Sequence, residues 1–189
     1  MRIEQTPPFP ELTPSQLSSH AMLTALPLDY RPDFTDPTGG DFANPGAIAL
    51  DRPAGFWDTL RRYAVTKVAT TLFAAELQAR CDAEALPILS VSLHPGTIRT
   101  PGSLGVVPGF LHPLFSLIAG TPLTGAKNTL FLATAPRVRD QDYYYKGQYV
   151  KEDGSVVAAH PAARSSALGR ELWTATESLV GGFKARHGL

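Results

Sequence analysis

Residues 56–81, FWDTLRRYAVTKVATTLFAAELQARC, limit the possible folds more than any other part of this chain. They place Val65, Val68, Ala69, Leu72, Phe73 and Leu77 three and four residues apart, the apolar stripe of a helix packed on a sheet. Pro87 then interrupts the helical pattern. The following ILSVSL, residues 88–93, has the density and length of a buried strand and ends at His94-Pro95-Gly96. A helix, a short turn, a strand and a Pro-Gly turn are the grammar of an α/β sheet built by crossovers.

The flanks read differently. Nine of the 17 prolines fall in the first 53 residues, together with Gly39, Gly40 and Gly46, so residues 1–55 are expected to form an irregular segment and residues 56–189 the folded domain. Within that first segment ELTPSQL, residues 11–17, is poor strand sequence. Residues 97–120 are rich in Gly and Pro yet carry Leu104, Val106, Val107, Phe110, Leu111, Leu114, Phe115 and Leu117. A long apolar loop of this kind is expected to cover a pocket. Thr121-Pro122 has the form of an N-cap and first helical position, with Leu123, Ala126, Leu130 and Ala133 continuing the helical face as far as Pro136. Residues 143–150, with Tyr143, Tyr144, Tyr145 and Tyr149 around Gly147, suggest strand. Leu168, Leu172, Trp173, Thr176 and Leu179 fit a last helix that stops before Gly181-Gly182.

Bulk properties remove several function classes. With 17 basic and 17 acidic residues in 189, the overall balance gives no reason to expect a nucleic-acid backbone or an anionic membrane as the main partner, although a local charged site remains open. The single cysteine, Cys81, precludes an intrachain disulfide and a cysteine-based metal cluster. The five histidines show no His-Glu-x-x-His spacing, and no metal is expected. No apolar run reaches the length of a membrane span, since residues 106–118 are broken by Pro108, Gly109, His112 and Pro113. The opening MRIEQTPPFPELTPSQ has no apolar secretion region, and cytoplasm is the residual expectation.

Tyr63 and Lys67 are the residues through which chemistry enters. Four apart on the expected helix, they share one face. A phenol with a pKa near 10 is almost fully protonated at neutral pH, and an adjacent ammonium favours the phenolate. A tyrosine tuned in this way donates a proton to a carbonyl oxygen during reduction, or accepts one from an alcohol, while hydride moves at carbon. The spacing alone also suits a surface tyrosine lying along a lysine stem. The surrounding order favours chemistry, because the Pro-Gly turn then lies at a strand's C-terminal edge, where open α/β sheets bind ligands.

Tyr63-Ala64-Val65-Thr66-Lys67, the continuation TLFAAEL (71–77) and SVSLHPGTIRT (90–100) together resemble the second half of the short-chain dehydrogenase/reductase family, in particular its retinol-dehydrogenase-like branch. The resemblance extends over residues 56–179. It implies a Rossmann-like, doubly wound parallel sheet within the α/β class, here an N-terminally truncated one, and an NADP- or NAD-dependent oxidoreductase with NADP slightly preferred. It also implies that Tyr63 is the acid/base, and that Lys67 lowers its pKa and hydrogen-bonds the nicotinamide ribose. Pro95 and Gly96 would shape the wall beside the nicotinamide, Ile98 would supply backbone contact and Thr100 a hydroxyl to the cofactor. The family's substrate-polarising serine matches Ser19 within Ser18-Ser19-His20, a position that otherwise reads as an ordinary loop serine.

The glycine-rich phosphate motif of such a protein, with its flanking strand and helix, is absent from the 189 residues. Gly39-Gly40 does not have that form. The expectation is that the chain on its own binds nicotinamide cofactor poorly. Two functional readings follow: an oxidoreductase interconverting a hydrophobic ketone or aldehyde and its alcohol, with the present sequence a shortened form, or a catalytically inactive remnant serving as an interaction module. Complementation by a second polypeptide stands behind both.

Overall fold

Three short strands, β1 (Ser15–Leu17), β2 (Val91–Leu93) and β3 (Tyr149–Val150), run parallel in the order β1-β2-β3 in a computed structural model that describes residues 15–19, 21–35, 55–106 and 109–188. Ser15 lies opposite Val91, Leu17 opposite Leu93, and Ser92 opposite Tyr149. The sheet separates two hydrophobic cores. Val91, Leu93 and Val150 point into one of them with Leu132, Val138 and Tyr145, whereas Tyr149 points into the other with Ala64, Val65, Val68, Leu72 and Leu172. Burial on both faces explains why β2 carries no exposed residue and why its sequence reads as a dense run.

Helix α2 (Phe56–Ala83) forms the crossover between β1 and β2 and buries Val65, Val68 and Leu72 of the stripe expected of it, with Ala69, Phe73 and Leu77 partly covered. The burial of each Leu or Val in that stripe is worth roughly 1.5–3 kcal/mol. The long C-terminal helix, α8 (Ser166–His187), packs along α2. At their seam Phe73 stacks on Trp173 at 5.3 Å, and the Arg80 guanidinium lies 4.4 Å above the same indole. α2 ends in a Schellman turn in which the Leu86 N–H donates to the Cys81 carbonyl (2.8 Å) and the Ala85 N–H to that of Asp82 (3.1 Å). The left-handed position of that turn, usually glycine, is taken by Ala85 with φ +52°.

The structure corrects the reading of the first segment. Ser15–Leu17 forms a strand and Ala21–Thr24 a helical turn, α1, where irregular chain was expected. The Ser-Gln-Leu triplet has no apolar pattern of its own. It is strand because β2 supplies a parallel ladder, extended by the Ser18 N–H to the Leu93 carbonyl at 2.7 Å. Residues 1–14 and 36–54, including Gly39-Gly40, and His20 lie outside the described residues.

Three further boundaries differ. Residues 97–120 carry α3 (Pro101–Val106), a 3-10 turn (Gly109–Leu111) and α4 (His112–Ile118) in place of a plain loop. The tyrosine run is helical, as α7 (Asp142–Tyr145), with strand confined to Tyr149–Val150. Tyr145 is buried there against Phe131 and Tyr144, and the Lys146 ammonium ties the turn to Asp82 (3.1 Å) and Asp142 (3.5 Å). Gly181-Gly182 does not stop α8, which runs on to His187 and ends at Gly188 with φ +67°. The helix opened by Thr121-Pro122, α5 (Pro122–Thr134), starts as expected, with the Thr121 hydroxyl oxygen accepting the Thr124 N–H at 3.2 Å. α6 (Pro136–Asp140) follows it. No helix among the described residues is long and apolar enough to cross a membrane.

Candidate active site

The C-terminal ends of β1, β2 and β3 lie side by side, with Ser18 and Ser19 following β1 and Pro95-Gly96 following β2. At the end of β1 the Ser18 hydroxyl is buried, 2.8 Å from the Thr71 hydroxyl, and both reach the Lys67 carbonyl, at 3.2 and 3.0 Å. The Thr70 hydroxyl donates to the same carbonyl at 3.0 Å. Three hydroxyls therefore converge on one peptide group of α2 and fix the turn carrying Lys67 to the strand end carrying Ser18 and Ser19. Charge on a partly buried side chain is costly, and burial holds the Lys67 ammonium below its ordinary pKa.

Tyr63 precedes Lys67 by one turn and is 45% exposed. The Lys67 ammonium lies 5.2 Å from the centre of its ring, so the shared face expected from the spacing is present. Ser19 is half-buried, and its oxygen accepts the Ala21 N–H at 3.2 Å. That bond uses a lone pair and leaves the hydroxyl proton to be donated elsewhere.

β2 runs into the Pro95-Gly96 turn, where Gly96 adopts φ +87°, a conformation that a side chain makes costly. A Cβ at Gly96 would lie 3.6 Å from that of Glu152, which follows β3. Past the turn, Ile98 pairs with Gly120, closed by the Arg99 N–H to the Gly120 carbonyl (2.9 Å) and the Gly120 N–H to that of Thr97 (2.8 Å). The Ile98 side chain occupies the space left by Gly125, where a Cβ would approach Ile98 Cγ1 and Cδ1 to 2.9 Å. The Thr100 hydroxyl oxygen caps α3 by accepting the Ser103 N–H at 3.1 Å, and the Thr100 N–H donates to Ser103 Oγ at 2.8 Å. Helix capping thus accounts for a threonine at position 100 as well as a cofactor contact does.

The structure adds residues that the sequence did not single out. Asn128, buried on α5, donates to the Lys151 carbonyl at 2.7 Å and to that of His94 at 3.4 Å, stapling the ends of β2 and β3 at the Pro-Gly turn. Tyr149 is 2% exposed. Burial first, then the Glu152 carboxylate and then Tyr63, hold its phenol protonated well above the ordinary range. His160, fully buried, holds the Pro27 carbonyl through Nε2 at 3.0 Å and accepts the Ala162 N–H on Nδ1 at 3.2 Å, a structural tie. Among the described residues no group of His, Cys, Asp and Glu is arranged to hold a metal, and Cys81 is buried.

A concavity of about 330 Å³ between α2, β3 and the start of α8 is lined by Thr71, Glu76, Tyr149, Arg164 and Arg170, but by neither Tyr63 nor Lys67. It belongs to the α2–α8 seam, where Glu76 already pairs with Arg80 at 2.9 Å. The sheet edge offers an exposed phenol and a cation together, and is the better candidate for chemistry.

Comparison with known proteins bears on this edge. No protein-family model matches the chain. It is 43% identical over 129 residues to a short chain dehydrogenase/reductase, dpchH, of Colletotrichum higginsianum (strain IMI 349063), an alignment covering 68% of this chain and 32% of that protein. It is 41% identical over 120 residues to a short chain dehydrogenase/reductase, dpmpH, of Macrophomina phaseolina (strain MS6), covering 64% of this chain and 59% of that protein. The chain therefore spans less than two thirds of the length of these curated relatives. A crystal structure of an uncharacterized protein from Mycobacterium Paratuberculosis superposes with a TM-score of 0.51 over 87% of this chain and 48% of that one, at 21% identity. That likeness is one of fold.

Proposed function

We propose, from the premise that this chain belongs to the short-chain dehydrogenase/reductase superfamily, that its sheet edge is the catalytic half of a nicotinamide-dependent oxidoreductase of the retinol-dehydrogenase-like branch. The observation that carries the proposal is the Lys67 ammonium 5.2 Å from the Tyr63 ring on a helical turn tied through Ser18 to the strand that ends in Pro95-Gly96. The substrate is a hydrophobic ketone or aldehyde, or the matching alcohol, and the protein works in the cytoplasm.

The residues present fit the nicotinamide end of such a cofactor. The left-handed Gly96 turn lets backbone approach closely, Pro95 and Gly96 shape the wall beside the ring, Ile98 supplies backbone contact, and Thr100 follows. A bound nicotinamide supplies or accepts hydride, and NADP is the proposed form. Tyr63 moves a proton at its phenolic oxygen to or from the substrate oxygen. Lys67 brings positive charge to that phenol, and its partial burial strengthens the interaction relative to bulk water. Ser19 donates its hydroxyl proton to the same substrate oxygen and so fixes the carbonyl carbon in place. Asn128 and Ser18 act through others, the first holding the Pro-Gly turn and the second the Lys67 turn.

The test joins a segment carrying a strand, a glycine-rich phosphate motif and a helix ahead of Met1 and follows NADPH oxidation with apolar ketones and aldehydes. Turnover is expected, and Tyr63→Phe is expected to lower it by at least about 100-fold with NADPH affinity retained. Turnover by the Phe variant equal to that of the parent would reject the assignment.

A further inference from the structure

We infer that the concavity between α2, β3 and the start of α8 is a binding site for a small organic anion, a carboxylate or phosphate group carried on a short apolar body. At about 330 Å³ it has the size of sites that hold small ligands. Small residues give it depth, with Ala75 and Ala79 on α2, Ala158 beyond β3 and Gly169 on α8 among its walls. A Cβ at Gly169 would already stand 3.5 Å from that of Glu76, so a longer side chain there would fill the space. Leu72, Val157 and Ala159 supply apolar wall for the body of a ligand.

The charges around the concavity set the sign of that ligand. Arg164, at the end of the 3-10 turn Pro161–Arg164, and Arg170, one turn into α8, both line it and are exposed. Neither guanidinium has a hydrogen bond or ion pair among the described residues. Glu76 is the one acid of the lining; it is 8% exposed and already engaged, its Oε1 accepting the Arg80 Nε–H at 2.9 Å. Glu171, next to Arg170 in the sequence, is turned to the Phe34 N–H at 3.3 Å. Both arginine charges are therefore uncompensated within one concavity, and paired guanidinium groups suit the several acceptor oxygens of a carboxylate or phosphate. The first turn of α8 opens on the same space at Ser165 and Ser166 and adds the positive end of a 22-residue helix.

The inference does not rest on the hydride-transfer proposal, since neither Tyr63 nor Lys67 lines the concavity. Hexanoate and hexyl phosphate are titrated into the isotope-labelled full chain and followed by NMR. One or both are expected to shift the amide resonances of Gly147, Ser166 and Gly169 while those of Tyr63 and Gly96 stay in place, and the stronger of the two identifies the headgroup. Hexanol and hexylammonium are expected to shift none of them, and acetate and inorganic phosphate, which lack the apolar body, to bind at least about tenfold more weakly. Arg164→Gln and Arg170→Gln, at exposed side chains, are each expected to weaken binding about tenfold with an unchanged circular dichroism spectrum. Ala79→Leu, at an exposed position of the wall, is expected to weaken it with the charges intact. No shift with either anion at millimolar concentration would overturn the inference, as would equal shifts with hexanol or undiminished affinity when both arginines are replaced. Shifts confined to Tyr63 and Gly96 would overturn it too, by placing the anion at the sheet edge.

Discussion

Tyr149 and Gly125 show how single residues hold the sheet edge in shape. The Tyr149 phenol has its pKa raised by burial, by Glu152 and by Tyr63, so the folded chain keeps this proton where the unfolded chain gives it up. A raised folded-state pKa contributes stability that is present below the unfolded value and lost as pH rises through the folded one. Denaturant unfolding is therefore expected to show stability falling above about pH 10, by at most about 1.4 kcal/mol per pH unit. Tyr149→Phe should remove that part of the slope, whereas parallel curves for parent and variant would contradict it. Gly125 poses a problem of space. An added Cβ would sit 2.9 Å from two carbons of Ile98, and overpacking of this kind costs about 1–3 kcal/mol, more than the roughly 1 kcal/mol that alanine returns as helix propensity. Gly125→Ala is expected to lower Tm, and Ile98→Ala to cost less in that background than in the parent. Additive effects of the two substitutions would show that the contact does not matter.

At the scale of elements, legibility followed the strength of local signals. α2 was readable because its apolar stripe runs unbroken from Val65 to Leu77, and the start of α5 because Thr121-Pro122 is a local device. β1 was not, because Ser15–Leu17 is strand only through pairing with β2, which no local pattern encodes. The tyrosine run was misread for the complementary reason: Tyr residues favour strands, but burial of Tyr145 beside Phe131 and the Lys146 pairs with Asp82 and Asp142 close a helical turn instead. α8 continued past Gly181-Gly182, a pair whose Cβ positions would meet nothing within 4 Å, so the stop inferred there rested on propensity with no structure behind it. Tyr63, Lys67 and the Pro95-Gly96 turn were visible as a motif. Asn128 and Ser18 were not, because their role is to bond backbone carbonyls far away in sequence. The end of α2 carries its own test. Ala85 sits at φ +52°, where an L-residue costs about 1–2 kcal/mol, and Ala85→Gly is expected to raise stability by about 1 kcal/mol in thermal unfolding. No gain, or a loss, would mean that chain entropy outweighs the relieved strain.

For the whole molecule, the nicotinamide cofactor proposed for the sheet edge has a pyrophosphate end to be held as well, and no glycine-rich phosphate motif occurs in the 189 residues. Backbone N–H groups at such a motif carry the pyrophosphate, and residues at the nicotinamide end do not replace them. Calorimetric titration of NADPH into this chain alone is expected to give little or no heat of binding, and micromolar affinity would refute that expectation. Activity and cofactor binding are therefore measured separately.

The pairing of Ile98 with Gly120 gives the molecule a further property. The bridge closes the chain at both ends, so whatever lies between those residues enters and exits at the same point. Descendants of this sequence can lengthen, shorten or rewrite that interval, trading one clientele of molecules for another, without shifting Tyr63 on α2.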